Sequence, residues 1–439
     1  MPPFLALLVL LIAQAGQVPD PLPSSWWLSR LPEGLMKRRF ILDCTGCHLF
    51  DAARAFKDAA PRTADRWRED ILRMFSYAGP RSSFPVISGE IDPDSASQWL
   101  GEQLRSLSSV GAGPPALPNR GRAEVREYTL PGATDLPHDV AVASDGKVLI
   151  TGMFSHVIHS LDPETGAMTQ TAIPIDRANP RAMELDEDGN WWVLLGGPNS
   201  LARRDARTGA WTVYPVGMYG HSLAVGGGKV WVNGHFTRDP ELVSALDIAS
   251  GKVSPIESPP RHPTLATAAH GGGPVPYELR VAPDGRVWVG ELQGNRLLAF
   301  DPARRTWEAF TMPAPLSGPR RFDIDRTGIL WIPAYSDNAL YRLDPGTGRF
   351  DRYELPIADA VPYVARVDDR SGRVWVGTAA ADAVFALDIA SRRYASYPLP
   401  SRGALVRHLA IDPKTRDVWL AYGASPGRLS ARVARLRPQ

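Results

Sequence analysis

Two cysteines and a histidine lie within one short segment of the chain, Cys44-Thr45-Gly46-Cys47-His48. Two thiols separated by two residues can add across the two vinyl groups of a haem, and the adjoining histidine can bind the iron from the same side. The segment is therefore predicted to attach one haem c covalently through Cys44 and Cys47, with His48 as an axial ligand. A dithiol redox pair or a partial metal site is the alternative interpretation of this spacing.

The cysteine count favours the first interpretation. The chain of 439 residues contains 2 cysteines, and both lie in this segment. No second pair can complete a tetrahedral zinc site or build a disulfide framework. Both thiols are therefore expected to serve the same local site.

A haem iron usually takes its second axial ligand from a methionine or a histidine. Between His48 and the stretch near residue 110 there is no other histidine, and Met74 is the one methionine. Met74 is therefore the predicted second ligand of the haem iron. The alternative is a five-coordinate or water-ligated iron, since a methionine on a helical apolar face also serves as core filling.

Three segments around the motif have helical apolar spacing, namely 35–50, 64–77 and 93–104. Together with the attachment motif they resemble a small monohaem cytochrome c domain, placed at residues 30–105. A stretch rich in Gly, Pro and Ser follows at 106–123 and is predicted to be a linker. The resemblance implies an all-α domain that transfers electrons to a redox partner protein.

The first fifteen residues match a signal peptide, with an apolar run that ends at Ala13-Gln14-Ala15. The chain is therefore expected to be exported, to the periplasm or an equivalent compartment. A retained anchor is the alternative, but a run of about ten apolar residues is too short for a hydrocarbon core of about 30 Å. No integral membrane span is expected after cleavage.

The charge balance excludes one class of partner. The chain has 49 Lys and Arg against 47 Asp and Glu, which gives a net charge of +2. Such a balance produces no field that would attract a polyanion. We expect no nucleic acid partner.

From residue 124 onward the sequence repeats with a period of about 43 residues. Each unit contains short alternating strands, and several contain an Asp-Gly hairpin, as at Asp145-Gly146 and Asp284-Gly285. An aromatic position on the second strand recurs as Trp192, Trp231, Trp288, Trp331, Trp375 and Trp419. Four strands in a unit of this length are typical of a propeller blade, whereas a β-sandwich or a solenoid is the alternative.

Seven inner strands are expected, beginning near His138, Arg181, His221, Tyr277, Arg320, Tyr363 and Arg407. The chain is thus predicted to be mainly β, with a seven-bladed propeller at 124–436 following the small all-α domain. An extra strand at 124–130 precedes the first unit, while the last unit lacks its fourth strand. Closure of the ring by this extra strand would remove open sheet edges.

The repeats, with Glu-Tyr-x-Leu-Pro entering a unit, Asp-Gly-x-x-Trp-Val following its inner strand and Asp-Pro-x-Thr-Gly closing it, resemble the virginiamycin B lyase family. The resemblance implies a seven-bladed propeller and a Mg²⁺-dependent elimination that opens streptogramin B antibiotics. The family site pairs a histidine at the start of an inner strand with a glutamate on the adjacent strand. Here Glu291 would face Tyr277, His138 would face Gly152, and His221 would face His235.

The resemblance therefore implies a scattered site at the mouth of the central channel. The catalytic candidates are His138, His221, His235, Tyr277, Glu278 and Glu291, and Glu291 is also the candidate ligand of Mg²⁺. Further side chains expected at the same mouth are Arg181, Arg320, Arg321, Tyr363, Arg407 and His408. A mouth lined by such groups could bind a small molecule.

The leading hypothesis from sequence is an exported c-type cytochrome whose propeller binds a ligand, a partner or a substrate. In one version it is an oxidoreductase that passes electrons from the propeller rim to the haem. The rival is a Mg²⁺-dependent carbon-oxygen lyase with an accessory cytochrome. A third hypothesis is a non-catalytic binding scaffold.

Overall fold

The computed structural model describes residues 22–46, 48–57, 60–76, 91–106, 113–132, 135–234, 243–256, 259–263, 273–423 and 431–439. The predicted signal peptide, Cys47 and His235 lie outside these residues. Within them, no helix is long and apolar enough to cross a membrane.

Short helices dominate the N-terminal segment, defined here as residues 22–106. In its described part the helices are Ser24–Leu28, Leu35–Cys44, Ala52–Ala55, Ala64–Ser76 and Pro93–Gln103. A two-stranded ribbon pairs Phe56–Lys57 with Ala60–Pro61. The expectation of an all-α region is therefore wrong in this detail.

The helix predicted at 35–50 ends early, at Cys44. The hydroxyl of Thr45 donates to the carbonyl of Ile41 at 2.8 Å, and the backbone of Thr45 leaves helical geometry. Threonine competes in this way with the helical hydrogen bonds of its own turn. As a result His48 lies in the loop that follows the helix.

Seven four-stranded antiparallel sheets form the rest of the described structure. From the inner to the outer strand, blade 1 contains Pro137–Val142, Val148–Gly152, Val157–Leu161 and Met168–Ala172; blade 2 contains Pro180–Leu185, Trp191–Gly196, Asn199–Arg204 and Trp211–Pro215; blade 3 contains Gly220–Gly226, Lys229–Gly234, Val243–Asp247 and Val253–Pro255; blade 4 contains Pro276–Val281, Val287–Glu291, Arg296–Asp301 and Thr306–Thr311.

The remaining blades follow the same order. Blade 5 contains Asp323–Ile324, Leu330–Ala334, Ala339–Asp344 and Arg349–Glu354; blade 6 contains Pro362–Asp368, Arg373–Thr378, Ala383–Asp388 and Arg393–Pro398; blade 7 contains Val406–Ile411, Val418–Tyr422, Arg432–Pro438 and Ala123–Thr129. The predicted seven-bladed propeller is confirmed.

The repeated tryptophans pack between the blades. All six predicted positions are buried, and Trp192 and Trp288 are completely inaccessible to solvent. Five of them belong to clusters of apolar side chains from two neighbouring sheets, as where Trp419 meets Val140 and Ile150 of blade 1, and Trp375 belongs to the larger cluster that includes the N-terminal segment. Burial of large rings is the main apolar contribution at these contacts.

The ring closes through a strand from each end of the propeller sequence. Ala123–Thr129 pairs antiparallel with Arg432–Pro438 and becomes the outer strand of blade 7. Just before it, the backbone amide of Gly121 donates to the carbonyl of Ser396 in blade 6 at 3.0 Å. The closing strand predicted from the sequence is therefore observed, and it fixes where the chain enters the propeller.

Candidate functional site

The haem-attachment segment predicted from the sequence lies directly on the propeller. The hydroxyls of Thr45 and Tyr335 are 2.9 Å apart, and Arg407 donates to the carbonyl of Gly46 at 3.4 Å. An added Cβ on Gly46 would lie 3.0 Å from a guanidinium nitrogen of Arg320. A side chain at position 46 would therefore crowd the guanidinium of Arg320.

On the other side of this segment is a cavity of about 410 Å³ within the helical region. Its lining includes Cys44, His48 and Met74, which are three of the four residues predicted to hold a haem. The volume is within the range of about 300–1,000 Å³ that is usual for ligand and cofactor sites. The fold thus brings the predicted thiol and both predicted axial ligands to one cavity.

The remaining walls of the cavity suit a large apolar group. They include Phe40, Phe50, Trp67, Ile71 and Leu100, all of which are buried. Arg54, Arg62 and Arg73 also line the cavity. Arg62 is held in place by an ion pair with Asp70 at 2.6 Å.

The electrostatics at His48 favour the neutral imidazole. Burial lowers the pKa of His48, and the charge of nearby Arg54 lowers it further. Its Nδ1 lies 3.3 Å from the carbonyl of Leu49. A neutral imidazole is the form that binds a metal ion.

The N-terminal segment covers one end of the propeller, which we call the mouth: the end at which the inner strands begin. Lys37 forms a buried ion pair with Asp359 at 2.8 Å, and Arg38 forms one with Asp337. Gln293 donates to Asp43 at 2.8 Å.

Apolar side chains also contribute to the contact between the N-terminal segment and the propeller. Leu42 and Leu49 share one buried cluster with Tyr363 and Leu405. The catalytic candidates that the structure describes, His138, His221, Tyr277, Glu278 and Glu291, are all buried.

Three of the predicted catalytic residues meet at the mouth. The rings of His138 and His221 have centroids 5.5 Å apart, and those of His221 and Tyr277 are 4.0 Å apart. Nδ1 of His221 is 2.5 Å from the carbonyl oxygen of Tyr277. Tyr277 in turn shares a hydrogen bond with Tyr363, with 2.6 Å between the two hydroxyl oxygens.

Glu278 lies deeper along the central channel and is engaged by arginines. It forms ion pairs with Arg280 at 2.6 Å and with Arg366 at 3.2 Å.

Asp139 is a residue of the mouth that sequence reasoning missed. It forms a buried ion pair with Arg321 at 2.7 Å and a hydrogen bond with His138 at 2.8 Å. The sequence did contain a signal for this role of Asp139, because Asp139 directly follows the predicted site residue His138.

Burial and neighbouring groups set the pKa values of Asp139 and His138. Burial would raise the pKa of Asp139, but the charge of Arg321, with further contributions from His408 and His138, outweighs it and holds that pKa well below its usual range. Burial also lowers the pKa of His138 to about 4, against the opposing effect of Asp139. His138 is therefore neutral at neutral pH.

Glu291 does not occupy the position expected from sequence. The strand register pairs it with Pro276, not Tyr277, because a bulge between Pro276 and Leu279 shifts the ladder. Its carboxylate is fully buried and forms an ion pair with Arg296. A carboxylate held in this way is already neutralised, so its predicted role as a Mg²⁺ ligand would require Arg296 to move away.

A bulge also changes the register expected in blade 1, where Gly152 pairs with Pro137 and not with His138. In blade 3 the described ladder pairs Gly220 with Gly234. The expected pairing of His221 with His235 lies outside the described residues. Within the described part of the chain, no three His, Cys, Asp or Glu side chains come together as a set that could hold a metal ion.

A second cavity, of about 330 Å³, lies along the inner strands and is lined by Asp139, Glu278 and His408 as well as by residues farther along these strands. Among the latter are Glu184, Arg280, Asp323 and Arg366. Glu184 and Arg280 form an ion pair across it.

Comparison with solved structures identifies the propeller. Virginiamycin B lyase from Staphylococcus aureus matches 72% of this chain and 100% of its own, with a TM-score of 0.62 and 18% identity. A streptogramin B lyase structure matches 72% of this chain and 98% of its own, with a TM-score of 0.62 and 19% identity. The chain has a virginiamycin B lyase-like propeller fold. No family model and no curated protein matches the sequence.

A third similar structure is hydrazine synthase from Kuenenia stuttgartiensis. It matches 66% of this chain and 94% of its own, with a TM-score of 0.53 and 14% identity. At these identities the comparisons establish the fold of the propeller. They leave the N-terminal segment to be interpreted from its own residues.

The low pKa of His138 predicts how stability depends on pH. The unfolded chain binds a proton at His138 near the ordinary pKa of 6.5, whereas the folded chain binds it only near pH 4. The free energy of unfolding is therefore at its full value above pH 6.5 and falls as the pH drops towards 4, by up to about 1.4 kcal/mol per pH unit for each such group.

Urea denaturation of the wild type and of His138→Asn between pH 7 and pH 4 measures this dependence. His408, whose pKa burial also lowers, keeps part of the slope in the variant. An equal slope in both proteins would contradict the assignment of His138.

Proposed function

We propose that this protein is an exported c-type cytochrome that transfers electrons, with one haem c attached to Cys44 and Cys47. The observation that carries the proposal is the cavity of about 410 Å³ whose lining includes Cys44, His48 and Met74. Met74 is distant in sequence from Cys44 and His48, yet all three line one cavity with aromatic walls. The predicted signal peptide and the periplasmic location are part of the proposal.

The residues that line the cavity have different roles in this proposal. A bound haem c supplies one-electron oxidation and reduction. His48, neutral because of its burial and of Arg54, and Met74 would hold the iron of this haem. Phe40, Phe50 and Trp67 exclude water, and a dry environment tunes the reduction potential.

The propeller has a separate role in this proposal. Because the N-terminal segment covers the mouth, the propeller is a rigid support for the attachment segment. It also binds a ligand or a redox partner protein. An oxidoreductase version of the proposal would use the mouth directly under Thr45 and Gly46.

The proposed haem attachment is tested on the mature protein purified from a host that matures c-type cytochromes. A haem held by thioether bonds stays with the polypeptide in acidified organic solvent. We expect the wild type to retain its haem, Cys44→Ser and Cys47→Ser to retain less, and Cys44→Ser/Cys47→Ser to release all of it. Complete extraction of haem from the wild type would refute the proposal.

Met74→Ala tests the second axial ligand. We expect a lower reduction potential and binding of carbon monoxide or imidazole to the opened iron, because a methionine ligand raises the potential. Leu72→Ala is a matched control, since Leu72 is on the same helix and is 41% exposed. Identical spectra for wild type and Met74→Ala in both oxidation states would sink the assignment.

A streptogramin B-type lyase is the second candidate, and the propeller fold together with the cluster of His138, His221 and Tyr277 favours it. Two contacts oppose it. Glu291 is engaged by Arg296, and the N-terminal segment covers the mouth.

We therefore expect no ring opening when the holoprotein is incubated with Mg²⁺ and a streptogramin B and the products are followed by mass spectrometry. A linear product that is abolished by Glu291→Gln would reverse this ranking.

A further inference from the structure

Arg320 at the mouth is a buried cation that lacks a conventional counter-ion. It is completely inaccessible to solvent. Its three guanidinium nitrogens have no hydrogen-bond acceptor among the residues that the structure describes. An arginine cannot lose its proton in a protein, and an uncompensated buried charge is strongly unfavourable. A negative charge must therefore be found close to Arg320.

The carboxylates closest to the mouth are engaged by other arginines. Asp139 pairs with Arg321 at 2.7 Å. Glu278 pairs with Arg280 and Arg366. The carboxylate of Glu291 is bound by Arg296. In the described part of the chain, no carboxylate forms an ion pair with Arg320.

What surrounds Arg320 instead is a cage of three tyrosines. Its Cζ lies 3.9 Å from the ring centroid of Tyr335, 4.1 Å from that of Tyr363 and 4.6 Å from that of Tyr277. Ring faces attract a cation, but a neutral ring supplies no net charge. An ionised phenol would supply it.

Two of these phenols are joined by a short hydrogen bond. The hydroxyl oxygens of Tyr277 and Tyr363 are 2.6 Å apart. Distances of about 2.5–2.7 Å are typical of hydrogen bonds between a hydroxyl and an oxyanion. The third phenol, Tyr335, bonds to the neutral hydroxyl of Thr45 at 2.9 Å. The geometry therefore singles out the pair of Tyr277 and Tyr363.

We propose that Tyr363 is a phenolate at neutral pH, that it is the counter-ion of Arg320, and that Tyr277 donates the hydrogen bond that stabilises it. The pair lies beneath the predicted attachment segment, where Tyr335 of the same cage bonds to Thr45. Its negative charge would compensate the buried charge of Arg320 and hold that guanidinium in place beneath the segment.

The charges around the pair agree with this assignment. Burial alone would raise the pKa of Tyr363, but Arg320, Arg407 and Arg321 outweigh it and lower that pKa. Burial raises the pKa of Tyr277, which remains the donor.

Among the described residues, the other titratable groups near the pair are Tyr335, Arg181, His221 and His138, and the carboxylates of Asp139 and Glu278 lie beyond Arg321. His138 is neutral at neutral pH, as argued above. The phenolate therefore faces mainly positive and neutral groups.

The test is near-ultraviolet difference absorption between wild type and Tyr363→Phe at pH 7, with any haem content matched. We expect the wild type to show the band of one phenolate that Tyr363→Phe lacks. The band should disappear as the pH falls through the pKa of the pair. Tyr335→Phe is the matched control, because it removes a phenol from the same cage and should leave the band in place.

Two further variants sharpen the test. Tyr277→Phe removes the donor, so the phenolate of Tyr363 should protonate at a higher pH. Arg320→Gln should raise that pH as well, and if it fails to fold, the tyrosine variants still decide. A flat difference spectrum between wild type and Tyr363→Phe, or loss of the band in Tyr335→Phe, would overturn the proposal. The readout does not depend on haem, so it decides this proposal even if the proposed function fails.

Discussion

Ring closure is the constraint on which the rest of this structure depends. Ala123–Thr129 completes blade 7 by pairing with Arg432–Pro438, which removes two open sheet edges. The same strand holds the chain at a fixed point of the ring. The N-terminal segment that precedes it is therefore kept close to the propeller. Its contacts with blades 4 to 7 then form at a high effective concentration.

Contacts of three kinds hold the N-terminal segment over the mouth. Leu42 and Leu49 bury apolar surface against Tyr363 and Leu405. The ion pair of Lys37 with Asp359 is buried, so loss of one partner would leave an uncompensated charge. The backbone amide of Ser25 donates to the carbonyl of Ala380 at 2.8 Å. A buried polar contact of this kind fixes orientation more than it adds stability.

The propeller axis concentrates charge for a geometric reason. Seven inner strands begin around one narrow channel, so side chains that are far apart in sequence are forced together. Arginines and carboxylates of different blades then neutralise one another, as Asp139 of blade 1 does with Arg321. Among the described residues no carboxylate forms an ion pair with Arg320, and three tyrosine rings surround it instead. The charge pattern at the mouth is thus a property of the whole ring.

The sequence by itself determined the repeat, the seven inner strands and the closing strand, because period and turn residues are local, and its motif spacing is the basis of the predicted attachment site. It also led to Met74 by elimination. Only the tertiary structure decided that His48 and Met74 line one cavity and that the N-terminal segment covers the mouth. It also decided that Glu291 is bound to Arg296 and displaced from Tyr277 by a bulge. Bulges and contacts between blades depend on packing between distant segments, which no local pattern records.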